Sequence, residues 1–159
     1  MAKIIDFNTY RVRFTGKAIT KPKYERFKNK NVETLYVEIR LNYSQLMMLK
    51  RILESEIDAH ERRQDYTLVI AHGLKTINFE KAASKKKLNL HVYEIYYYKR
   101  IIEFYIESYD ELFTELDKFL IYELHDIFSE YERENEELID EFSYKDPEEK
   151  YKIVRKMIR

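Results

Sequence analysis

The chain has 159 residues, of which 45% are hydrophobic and 15% aromatic, with two glycines, two prolines and no cysteine. That apolar content can offset the entropy of ordering the chain, which excludes wholesale disorder although 36% of the residues are charged. Without cysteine there is no disulfide, thiolate metal site or cysteine nucleophile, and with only Gly16 and Gly73 there is no glycine-rich phosphate loop.

The formal net charge is zero, but the signs are segregated. Residues 1–32 carry nine Lys and Arg against two Asp and Glu; 33–65 carry five against seven; 66–100 carry seven against two; and 101–159 carry eight against eighteen. Such a bipolar chain suits a basic sheet packed on acidic helices, or the steering of a polyanion to one face. No Pro/Gly/Ser-rich linker divides it, so one domain over 1–159 is expected. The opening Met1-Ala2-Lys3-Ile4-Ile5-Asp6 meets charge too early for a signal peptide. No apolar run reaches the ~18 residues of a membrane span, so a cytoplasmic protein with no membrane partner is expected. Many charges, two Gln, no Cys and two Gly resemble the composition of heat-adapted proteins.

In chain order, Tyr10, Val12 and Phe14 alternate with Arg11 and Arg13, a strand with one apolar and one cationic face that Gly16 ends. Residues 21–31 read as a long loop opened by Pro22. Leu35, Val37, Ile39 and Leu41 alternate with Tyr36, Glu38 and Arg40, the cleanest strand. Asn42 and Gln45 then predict a capped helix over 43–64, buried through Leu46, Leu49, Leu53, Ile57 and His60. The β-branched run 66–72 and the stretch 76–79 read as short strands, and 88–92 as another. Over 93–107 strand and helix readings compete. Dense Tyr and Ile favour a hairpin turning at Lys99-Arg100.

Ser108 and Glu111 form a capping-box pattern that predicts a long acidic helix over 109–142. Its stripe runs through Tyr109, Phe113, Leu116, Leu120, Leu124, Ile127, Tyr131, Leu138 and Phe142, widened by Leu112, Phe119, Phe128 and Ile139. The polar run 132–137 should project or turn; unbroken, the helix would span about 51 Å and overhang a small domain. Asp146-Pro147-Glu148-Glu149 starts a short basic C-terminal helix suited to the Glu-rich end of the long one. The expected fold is α+β: a mainly antiparallel sheet packed against a helix at 43–64, the acidic helix and the C-terminal helix.

The strongest functional signal is Arg11, Arg13, Lys17, Lys21, Lys23, Tyr24, Arg26, Phe27, Lys28 and Lys30, with Lys85, Lys86 and Lys87 extending the surface. Cations neutralise phosphates, and Tyr24 and Phe27 at a loop tip can stack on unpaired bases. The expected function is therefore nucleic-acid binding without catalysis, cofactor or metal. The plain alternative is a solvated loop and an edge strand whose charges prevent aggregation. A different class is a protein-interaction or self-assembly module, a homodimer among its forms, using the acidic helix and Tyr93, Tyr96, Tyr97 and Tyr98. A third is a divalent-metal-dependent nuclease on Glu38, Glu80 with Lys81, and Glu94. His60, His72, His91 and His125 are far apart without ligand spacing and read as helix-surface or partly buried residues. No serine lies in a nucleophile-elbow context.

Overall fold

The computed structural model describes residues 35–57, 63–108 and 113–158. Their element order is β1 (Tyr36–Arg40), α1 (Tyr43–Ile57), α2 (Gln64–Thr76), α3 (Phe79–Lys85), β2 (Lys87–His91), α4 (Val92–Ser108), α5 (Glu115–Arg133), α6 (Glu136–Ser143) and α7 (Pro147–Met157). The fold is broadly α+β but mostly helical. The expected antiparallel sheet is, among the described residues, a two-stranded ribbon of β1 and β2. The strand expected at 10–14, the loop at 21–31 and residues 58–62 of the helix expected over 43–64 lie outside the described residues; the described part of that helix is Tyr43–Ile57, and Gln64 belongs to α2. No helix among the described residues is long and apolar enough to cross a membrane.

Three sequence signals produce the elements they predict. The alternation at 35–41 gives β1, with Leu35, Ile39 and Leu41 in the core. Asn42 and Gln45 exchange hydrogen bonds at the start of α1, Gln45 N–H to Asn42 Oδ1 at 2.8 Å and Asn42 N–H to Gln45 Oε1 at 3.0 Å. Asp146 caps α7 by accepting from the Glu149 amide at 2.9 Å, with Pro147 in the first turn.

Elsewhere packing overrides local propensity. Residues 66–72, read as a strand, lie in α2, where Val69, Ile70 and Gly73 are buried at helical steps. Residues 76–79 are no strand either: α2 ends at Thr76, and Asn78 caps α3 by accepting from Lys81 N–H at 3.0 Å. The hairpin favoured for 93–107 is the helix α4. Every residue from Val92 to Tyr98 is buried, and a helix covered on all sides needs no amphipathic period. α4 is the central helix, packed against α2, α5, α6 and β2.

The single helix expected over 109–142 is also corrected. Ser108 ends α4, and α5 starts later, at a capping box in which Thr114 Oγ1 accepts from Asp117 N–H and Asp117 accepts from Thr114 N–H. The polar run 132–137 turns rather than projects. Asn135 leaves helical geometry (φ −126°, ψ 32°) and donates from its side-chain Nδ2 to the Tyr131 carbonyl at 2.9 Å. α6 then folds back on α4 and buries Ile139 and Phe142, so there is no overhanging end. The covered face of α5 runs through Ile121, Leu124, Ile127 and Phe128; Leu116 and Phe119, assigned to it, are 67% and 45% exposed. α7 packs mainly on α2 rather than on the acidic helix. Its Lys150 is buried, donating to the Tyr96 hydroxyl at 3.1 Å and standing over the Tyr96 and Phe142 rings.

α2 and α4 meet where a glycine is required. A Cβ on Gly73 would run into the hydroxyl of the fully buried Tyr98 and lie 3.3 Å from its Cζ. Gly73→Ala should therefore cost about 1–3 kcal/mol through overpacking. Tyr98→Phe, which removes the obstructing oxygen, should recover part of that cost in the double mutant. Urea melts of the four-member cycle measure the coupling; strictly additive effects would contradict the contact.

Candidate functional site

The register of the ribbon decides which side chains face outward. Directly opposed residues share a face, so Val37 with Leu90 and Ile39 with Leu88 point into the core. Tyr36 with His91, Glu38 with Asn89 and Arg40 with Lys87 form the other face. Over that face lies a cleft of about 640 Å³, lined by Tyr36, Glu38, Lys87, Leu88, Asn89 and Glu94 on the ribbon side. The opposite wall is Lys81, Ala82 and Lys85 of α3, with His72, Thr76, Ile77 and Asn78 from the α2–α3 junction.

The end of α3 sets the lysine geometry. Lys86 adopts the left-handed conformation (φ 58°), and its N–H closes the helix onto the Ala82 and Ala83 carbonyls before the chain enters β2. This places Lys81 and Lys85 one helical turn apart on α3, lining the same cleft as Lys87 of β2. Lys87 is 3.6 Å from Glu38, which is also 3.8 Å from Arg40. Among the described residues neither Lys81 nor Lys85 has an ion-pair partner.

Glu94 reaches the cleft from the first turn of α4 and is itself buried. Its Oε1 accepts from the His91 amide at 2.8 Å, and its Oε2 accepts from the Tyr98 hydroxyl at 3.3 Å. His91 Nδ1 in turn accepts from Tyr93 N–H at 3.0 Å. His91 and Glu94 therefore act as a capping box with histidine in the usual Ser or Thr place, which requires an unprotonated Nδ1. Burial pushes the Glu94 carboxyl up to about 7, against the opposing pull of its two hydrogen bonds. Burial and Lys75 hold His72 below the ordinary imidazole range, so it enters the cleft as a neutral ring at neutral pH.

Of the basic residues singled out in the sequence, Lys85 and Lys87 line this cleft and Lys86 is exposed beside it. Arg11, Arg13, Lys17, Lys21, Lys23, Tyr24, Arg26, Phe27, Lys28 and Lys30 lie outside the described residues. The nuclease carboxylates come together only in part: Glu38 and Glu94 share the cleft, while Glu80 is exposed and outside its lining. Among the described residues no three His, Asp or Glu side chains are grouped to hold a metal ion. His125 pairs with Glu103 at 3.0 Å, and that hydrogen bond, against some burial, holds the Glu103 carboxyl below its usual range. His60 lies outside the described residues. Tyr93, Tyr96, Tyr97 and Tyr98 are all core residues of α4, not an exposed platform.

Tyr36 and Asn78 are cleft residues that sequence reasoning did not single out. Asn78 ahead of Phe79 carried an N-cap signal for α3, and that helix would have put Lys81 and Lys85 on one face. A second cleft, of about 530 Å³, holds Lys99, Arg100, His125 and Glu132 among others. Its cations are already engaged: Lys99 and Arg100 both reach Glu132, at 2.8 and 2.7 Å.

The Glu94 carboxyl gives stability a definite pH dependence. The folded chain keeps this proton to a pH of about 7, whereas an unperturbed carboxyl releases it near 4.5. Its contribution to stability therefore falls as pH rises through that window and stays reduced above it. Relative to wild type, Glu94→Gln should gain about 3 kcal/mol between pH ~4 and pH ~8, read from urea melts at both. A difference independent of pH would contradict the buried carboxyl. Comparison with protein-family models, curated proteins and solved structures found no match for the chain.

Proposed function

We propose that the chain is a non-catalytic nucleic-acid-binding protein, and that the lysine-walled cleft is part of its binding surface together with the basic residues of 1–32. The observation that carries this reading is the pair Lys81 and Lys85. Both line one cleft, with no ion-pair partner among the described residues, in a fold that engages Lys99, Arg100 and Lys150 internally. Unpaired ammonium groups at that spacing suit phosphate oxygens, and the neutral form of Glu94 removes much of the floor's repulsion at or below neutral pH. Glu38 opposes an anion, but Lys87 and Arg40 sit against it.

The two competing readings have less support. Self-assembly relied on Tyr-rich strands, whose residues are core residues of α4, and on the apolar line of the acidic helix, of which Leu124, Ile127 and Phe142 are buried while Leu116 and Phe119 are exposed. A metal-dependent nuclease relied on three carboxylates, of which Glu80 is outside the cleft.

Anisotropy with fluorescein-labelled single- and double-stranded DNA and RNA at about 50 mM salt tests the proposal. Binding should weaken steeply with added salt. Lys81→Ala/Lys85→Ala should weaken it and lower the log–log salt slope by about 1–2, whereas Glu38→Gln should tighten it. No binding of any probe at low salt would reject the proposal.

A further inference from the structure

The cleft joins two kinds of recognition chemistry that a purely electrostatic surface does not need together. Its α3 wall is cationic. Its ribbon side carries Tyr36, which is 43% exposed although it lines the cavity. The Tyr36 ring stands at 81° to His91, centroids 5.2 Å apart, and His91 is itself fixed by capping α4. An aromatic ring on a strand, steadied by an immobile neighbour, loses little side-chain freedom when it gains a stacking partner.

We infer that this cleft takes one unpaired nucleotide of a single strand, its phosphate at the Lys81 and Lys85 ammonium groups and its base against the Tyr36 ring. The inference rests on the nucleic-acid reading above and adds to it a ligand class and a position. Three observations fix the arrangement. Glu38 occupies the middle of the ribbon's outer face and already holds Lys87 and Arg40, so the phosphate belongs at the α3 wall. The volume of about 640 Å³ falls within the roughly 300–1,000 Å³ of pockets that enclose a small organic ligand. Asn78 spends its Oδ1 on the α3 cap and keeps its amide donors for a base edge or a phosphate oxygen. A base inside a duplex has both faces stacked and could not meet Tyr36 without leaving the helix, so a single strand is preferred.

The test uses the full chain and three labelled probes of equal length at about 50 mM salt: an oligothymidylate strand, an abasic strand and a duplex. The wild type should bind the oligothymidylate more tightly than either other probe. Tyr36→Ala should weaken oligothymidylate binding about 5- to 150-fold and leave the abasic strand unaffected. Tyr36→Phe should keep wild-type affinity. Tyr36→Thr, which retains a β-branched residue in the strand, should repeat the Ala result if Ala fails to fold. Equal affinity of the wild type for the abasic and oligothymidylate strands would overturn the subsite while leaving phosphate-driven binding intact. A preference for bases that survives both ring-removing Tyr36 variants would overturn it too, by placing the stacking elsewhere. Failure of all three probes to bind would reject the nucleic-acid reading itself, and this inference with it.

Discussion

The Glu94 carboxyl is the group on which the geometry of this protein turns. One oxygen receives the His91 amide and the other the Tyr98 hydroxyl, while His91 Nδ1 takes the Tyr93 amide. Together these contacts convert a strand into a helix without an intervening loop: β2 ends at His91 and α4 begins at Val92. The direction of that conversion sends α4 through the core. It also seats Tyr98 against Gly73 of α2 and leaves Glu94 facing the cleft that β1, β2 and α3 enclose. Burying a carboxyl is costly, and the chain meets the cost with two hydrogen bonds and a carboxyl pushed up to about 7.

Among the described residues, part of the segregated charge meets in contacts inside the fold. Arg63 binds Asp65 at 2.6 Å, and Tyr97 donates to the same carboxylate at 2.8 Å. Burial opposes ionisation of Asp65, but Arg63 and Tyr97 outweigh it and hold that carboxyl below its usual range. Lys99 and Arg100 of α4 meet Glu132 of α5, and Arg51 of α1 meets Asp117. The acidic partner in each pair is largely buried, so each pair neutralises a carboxylate that would otherwise be costly to bury. Among the cations of 66–100, Lys99 and Arg100 meet Glu132 of α5 and Lys87 meets Glu38, whereas Lys81 and Lys85 line the cleft with no ion-pair partner among the described residues.

What could be read from the sequence follows from how local each signal is. β1 showed itself because one of its faces is wet and the other dry; α1 and α7 showed themselves through Asn42, Asp146 and Pro147. α4 was obscured because it is buried around its first two turns, so periodicity vanished and Tyr and Ile propensity pointed to strand. Its cap was missed because histidine is not among the usual N-cap residues. The break at Asn135 was visible as a polar run, but not that α6 would return to bury Ile139 and Phe142. In the cleft, the run Lys85-Lys86-Lys87 was visible and its partition was not. Only the left-handed Lys86 shows that Lys85 belongs with Lys81 on α3 while Lys87 belongs to the ribbon.

A carbon-detected NMR titration of the Glu94 side-chain carboxyl, recorded together with the His91 amide, tests most directly whether this joint organises the fold and its cleft. The Glu94 carboxyl should titrate at about 7, and the His91 amide that it holds should shift with the same midpoint. A Glu94 midpoint near 4.5 with an indifferent His91 amide would contradict the account.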